Sequence, residues 1–113
     1  MLTIEKLKEF GANTEEGLNR CFGNETLYLK LVNTIPDEKQ FDRLSSAVSE
    51  NDPGSAFEAA HALKGVLGNL SLTPLYLPVI EITELLRAKK EMDYTPLCNQ
   101  ILQKREELRS LCD

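Results

Sequence analysis

Residues 53–70 read PGSAFEAAHALKGVLGNL, and this stretch decides the fold. Ala56, Ala59, Ala60, Leu63, Val66, Leu67 and Leu70 recur at helical spacing, so they line one side of an α-helix running from Pro53 to Leu70. Asp52 stands just before it, where a side-chain oxygen accepts from the orphan N–H groups of a first turn. Pro53 suits the first helical position, because its missing N–H loses no partner there. An apolar stripe of this length calls for other helices to bury it.

Those helices follow on both sides. Downstream, Thr73-Pro74 starts one with Leu75, Val79, Ile82 and Leu86 on its stripe, and Pro78 inside it should kink it or loosen its first turn. Thr95-Pro96 starts the last, with Leu97, Ile101, Leu102, Leu108 and Leu111. Upstream, Pro36 opens a helix carrying Phe41, Leu44 and Val48, which Asn51-Asp52 ends. Three shorter helices come first. Thr3 caps one with Ile4, Leu7 and Phe10, stopped by Gly11. Asn13 with Glu16 three residues on is a variant capping box, opening a second with Leu18, Cys21 and Phe22 that ends at Gly23. Asn24 caps a third, with Leu27, Tyr28, Leu31, Val32 and Ile35. Nothing alternates with period two, so no sheet is expected. The predicted fold is all-α: an antiparallel up-down four-helix bundle with additional short N-terminal helices, forming one domain over residues 1–113.

Composition narrows the function classes. At 42 % apolar the chain can build a core without staples. No run approaches the roughly 20 apolar residues of a membrane span, and Met1-Leu2-Thr3-Ile4-Glu5-Lys6 lacks the shape of a signal peptide. A cytoplasmic protein is expected, with no membrane partner. A formal net charge of −5 argues against nucleic acid, whose binders carry a basic face. The three cysteines, Cys21, Cys98 and Cys112, are scattered and odd in number, and there is one histidine, so free thiols in a reducing compartment and no metal site are expected.

One face of the 53–70 helix departs from the pattern. From His61, the residues on the same side are Lys64, Gly65 and Gly68. Glycine inside a helix costs up to about 1 kcal/mol relative to alanine. Two of them on an outward face bring no gain in stability, and point to something outside that must approach the backbone. Phosphoryl transfer to nitrogen suits this face. An ordinary exposed imidazole titrates near ~6.5, so much of it is neutral and nucleophilic at pH 7. Lys64, one turn away, can neutralise a phosphoryl group as a mobile point cation. The glycines leave a lane where a partner can dock. No second acid–base group stands nearby, so the chain presents the histidine to a partner that brings Mg²⁺ and the remaining chemistry.

At these residues the sequence resembles a known family. Ala60-His61-Ala62-Leu63-Lys64-Gly65 is similar to the H-x-x-K-G signature of histidine phosphotransfer (HPt) domains, and Asn69-Leu70-Ser71-Leu72 resembles the segment ending the same helix, where the family often has glycine in place of Ser71. The resemblance covers roughly residues 10 to 110. It implies a stand-alone, monomeric phosphorelay protein. His61 would take a phosphoryl group from a receiver-domain aspartate, or a kinase, and pass it to another receiver. Lys64 would neutralise its charge, Gly65 would give the receiver clearance, and Gly68 would extend the small-residue face. Receiver domains of response regulators or hybrid histidine kinases would be the partners. No cofactor of its own is implied, Mg²⁺ belonging to the receiver.

Some relatives place a Gln on the next helix to orient the imidazole. Counting from the turn at Ser71-Leu72 equally far up the antiparallel helix lands near Thr83 and Glu84. Thr83 either points between helices toward His61 or is a tolerated half-buried polar residue. Phe57, one turn before His61, either extends the docking surface or is partly buried core. Arg87, Lys89 and Lys90 read as a solvated helix end, and Glu81 and Glu84 as a solvated face. Two other functions compete. An interaction module would bind a receiver or kinase without transfer, and would have no need of His61 and Lys64 together. An autonomous hydrolase would need the absent second acid–base group.

Overall fold

The long helices begin close to where the prolines and caps stand. The computed structural model describes residues Met1–Asp113 and contains no strand. Its helices are α1 (Ile4–Phe10), α2 (Thr14–Arg20), α3 (Glu25–Asn33), α4 (Lys39–Ser49), α5 (Pro53–Asn69), α6 (Thr73–Arg87) and α7 (Thr95–Cys112). Asp52 caps α5 as expected, accepting from the Ser55 backbone N–H at 3.2 Å and the Ser55 hydroxyl at 2.7 Å. Those bonds hold its carboxyl below the usual range. Asn13, Asn24 and Thr3 cap their helices likewise.

Helices α4 to α7 form the bundle. α5 packs between α4 and α6, and α7 packs on both α6 and α4, which closes the ring. The connections at 50–52 and 70–72 are too short for anything but antiparallel neighbours. The α5 stripe goes inward: Ala56, Ala59, Ala60, Leu63 and Leu67 are buried, meeting Leu44, Leu75, Val79, Ile82, Ile101 and Leu108. Each fully buried Leu or Ile contributes about 1.5–3 kcal/mol, so the rotation of α5 is fixed by its core face. The face carrying His61 is outward as a consequence.

Helices α1 to α3 sit at the α5–α6 end. The Tyr28 hydroxyl donates to the Leu70 carbonyl at 2.9 Å, the Asn13 N–H to the Ser71 carbonyl at 3.0 Å, and the Ser71 hydroxyl to Glu16 at 2.9 Å. Burial pushes the Tyr28 hydroxyl up to about 12, with a smaller contribution from Cys21. Ser71 has φ 54°. Its N–H returns to Gly68 and that of Leu72 to Leu67, a left-handed closure of α5 that favours glycine. Asn51 and Lys89 close α4 and α6 with the same backbone, at φ 55° and 57°.

Several expectations need correcting. Pro36 does not open α4; it lies in a 3-10 turn, Ile35–Asp37, and α4 starts after Glu38 with no side-chain cap. Phe22 is not on an inward stripe: α2 stops at Arg20, Phe22 takes φ 59°, and its side chain is 93 % exposed. Leu31 is exposed, while Val48, Val66, Leu102 and Leu111 are half-buried at the edge of the core. Pro78 is buried, and α6 runs unbroken through it. Its ring nitrogen has no hydrogen to donate to the turn before. Asn13 makes half a capping box: its side-chain oxygen accepts from the Glu16 N–H, but its own backbone N–H donates to the Ser71 carbonyl, and the Glu16 carboxylate meets Ser71, Arg20 and the Asn13 side-chain amide instead.

Candidate functional site

His61 lies midway along α5 and is exposed. Its inward neighbours Ala60 and Leu63 are fully buried, so the helix cannot rotate to hide the imidazole without exposing core. Its ring stacks on Phe57, one turn earlier, with centroids 5.7 Å apart and planes within 16°. Phe57 is half-buried and packed against the core, as the second of its two readings has it, and its ring lies against that of His61.

The stack continues across to α6. The Arg87 guanidinium carbon lies 5.2 Å from the centre of the Phe57 ring, a cation–π contact. Arg87 Nε is 3.4 Å from one Glu84 carboxylate oxygen, and Lys64 Nζ is 3.9 Å from the other. Lys64 belongs to α5, one turn beyond His61. The side chains of His61, Phe57, Arg87, Glu84 and Lys64 therefore follow one another round a circuit that leaves α5 and returns to it. The Lys64 side chain is 33 % exposed, with its ammonium turned to Glu84 of α6.

The two glycines differ. A Cβ built at Gly65 meets nothing within 4 Å. A Cβ at Gly68 would come within 3.1 Å of the Tyr76 ring from α6. Gly68 is thus packed closely against α6 on one side, while on the other it faces the open depression beside His61. This depression is lined by Lys64, Gly65 and Gly68, by Asn13 that caps α2 and Glu16 and Arg20 within it, and by Tyr76 and Leu77 of α6. Leu77 is 59 % exposed there. A larger cleft of about 710 Å³ lies at the other end of α5, between α4 and the α6–α7 connection. It shares Phe57 and Arg87 with the circuit but has no nucleophile near a base.

Thr83 resolves to the bland one of its two readings. It is fully buried, and its hydroxyl donates to the Val79 carbonyl of its own helix at 2.6 Å. Glu84 and Arg87 belong to the site, where the sequence pattern points to Thr83 and to a solvated helix end. The signal was present for Glu84: the count from the turn puts it at the height of His61, and its charge is opposite to that of Lys64. For Arg87 only the contact with Phe57 reveals it. No group of His, Cys, Asp and Glu side chains converges as a metal site would require. No helix is long and apolar enough to cross a membrane. The cysteines are free, with Cys21 and Cys98 buried.

Chemically, the site offers an exposed nucleophilic ring held by a stack, a flexible cation one turn away, and an unobstructed backbone beside both. Comparison with known proteins adds a family. The profile of the Hpt domain matches residues 37–111, the bundle helices α4 to α7, and leaves α1 to α3 outside the match. No curated protein and no solved structure matches the chain.

Proposed function

The chain belongs to the Hpt domain family, so its role is histidine phosphotransfer in a phosphorelay, and on that premise we propose that His61 is the residue that carries the phosphoryl group. It is the only histidine in the chain. The observation that carries the reading is its placement: exposed midway along a helix otherwise pinned by its core, next to a Gly65 with nothing within 4 Å of a would-be methyl.

The donor and acceptor are receiver-domain aspartates. A free ring nitrogen of neutral His61 attacks the phosphorus of an aspartyl phosphate. The N–P bond forms as the P–O bond to the carboxyl group breaks, and the aspartate leaves with the bonding pair as a carboxylate. The reverse step on a second receiver passes the group on. Mg²⁺ held by the receiver neutralises the transferring oxygens, and Lys64 supplies the cation on this side. Gly65 leaves clearance for the receiver's acidic pocket. We assign this work to a single unit spanning residues 1–113, acting as a monomer in the cytoplasm, where free cysteines persist.

Incubation with a histidine kinase, a receiver domain and labelled ATP tests the reading. Wild-type protein gains acid-labile, alkali-stable label. His61→Gln gains none and keeps its far-UV helical signal. Label surviving in His61→Gln refutes the assignment. Binding of a receiver with no label on the wild type leaves an interaction module instead.

A further inference from the structure

We propose that Glu84 is a positioning residue for phosphotransfer: its carboxylate holds the Lys64 ammonium while His61 is free, and yields it to the phosphoryl group when His61 is loaded. The inference rests on the phosphocarrier reading of His61.

The geometry supplies both halves of this exchange. Glu84 sits between two cations, 3.9 Å from Lys64 and 3.4 Å from Arg87. Arg87 is held a second time, over the Phe57 ring. Lys64 has no other ion-pair partner. Lys64 is therefore the member free to leave, on a flexible stem whose ammonium makes no fixed fork. When it leaves, Glu84 keeps Arg87 and is not orphaned.

The direction follows from charge. A phosphoryl group carries close to two negative charges near neutral pH and the carboxylate one; Lys64 is paired with the carboxylate and stands one helical turn from His61. Lys64 moves toward the greater charge, but the pair it gives up is subtracted from what it contributes to phosphohistidine. Glu84 so keeps the loaded state less stable than Lys64 alone would make it. For a carrier that must hand its group on, this favours discharge. Glu84 is 53 % exposed at its side chain, so replacing it leaves the core intact.

The experiment uses the full chain as wild type, Glu84→Gln, Lys64→Ala and the double variant. Each is loaded with phosphoramidate, a small-molecule donor that needs no protein partner, and the loss of phosphohistidine is followed at low salt and at 1 M NaCl. Glu84→Gln is expected to lengthen the phosphohistidine lifetime about threefold at low salt, the size an exposed ion pair can supply. The effect shrinks at high salt and disappears when Lys64 is alanine. Equal lifetimes for wild type and Glu84→Gln overturn the proposal, and so does an equally large effect without Lys64. If wild type takes no label at His61, the phosphocarrier reading falls and this proposal with it; normal labelling with equal lifetimes defeats the proposal alone.

Discussion

Gly65 and Gly68 lie one turn apart on the same helix, and they are there for different reasons. A methyl at Gly65 meets nothing within 4 Å, whereas one at Gly68 comes to 3.1 Å from the Tyr76 ring. One glycine answers to a neighbouring helix; the other answers to nothing inside the molecule. The difference teaches that a glycine in a helix marks a functional surface only after its internal neighbours have been checked. On the proposed function, Gly65 is the one of the two whose absence of a side chain answers to a partner rather than to a neighbouring helix.

The comparison is sharpest when extended to a third glycine. Gly17 is buried in α2, and a Cβ there would lie 2.5 Å from the Tyr28 ring, itself fully buried and bonded to Leu70. Gly17→Ala is expected to lower stability by about 1–3 kcal/mol through overpacking, read as a drop in melting temperature. An unchanged melting temperature would mean that built-in clashes of this kind do not report packing here, and the Gly65–Gly68 contrast would lose its basis.

Gly68→Ala comes next in size. Helix propensity favours alanine by up to about 1 kcal/mol, and the push on Tyr76 opposes it, so the net change should be near zero. In a Tyr76→Ala background the opposition is gone, and Gly68→Ala should stabilise by about 0.5–1 kcal/mol. Urea titration of the four proteins measures this. Equal effects in both backgrounds would show that Tyr76 is not why residue 68 is glycine.

The comparison also has a reverse case of similar size, a backbone that favours glycine where the sequence has none. Lys89 closes α6 at φ 57° and is exposed, with no ion pair of its own. Lys89→Gly should raise stability by about 0.5–1 kcal/mol, from relief of the left-handed conformation. A loss of stability would mean that the lysine side chain contributes something beyond its backbone.

These cases show what sequence patterns carry. The α5 stripe, its Asp52 cap and the outward His61 were legible, because periodicity and capping act within one helix and the core face fixes the rotation of the rest. The bundle followed from short connections. Phe22 misled because an apolar residue at helical spacing cannot reveal that its helix has already ended. Pro36 misled because proline starts a 3-10 turn as readily as an α-helix. The Gly68–Tyr76 contact, the Lys64–Glu84 pair and the Arg87–Phe57 contact all join residues of different helices, or turns whose relative rotation only packing decides. That is why half of the site was read from sequence and the circuit on α6 was not.

The most direct test is Gly65→Gln, with melting temperature and phosphotransfer rate to a receiver domain measured on the same preparation. The open space around residue 65 predicts a melting temperature that holds or rises, by up to about 1 kcal/mol of helix propensity. Transfer should fall by about tenfold or more, because a side chain forced into a packed interface costs roughly 1–3 kcal/mol. Gly65→Ala should show the same pattern, more weakly. Transfer at the wild-type rate, or a melting temperature and a rate that fall together, would contradict the claim that this glycine is kept open for a partner at His61.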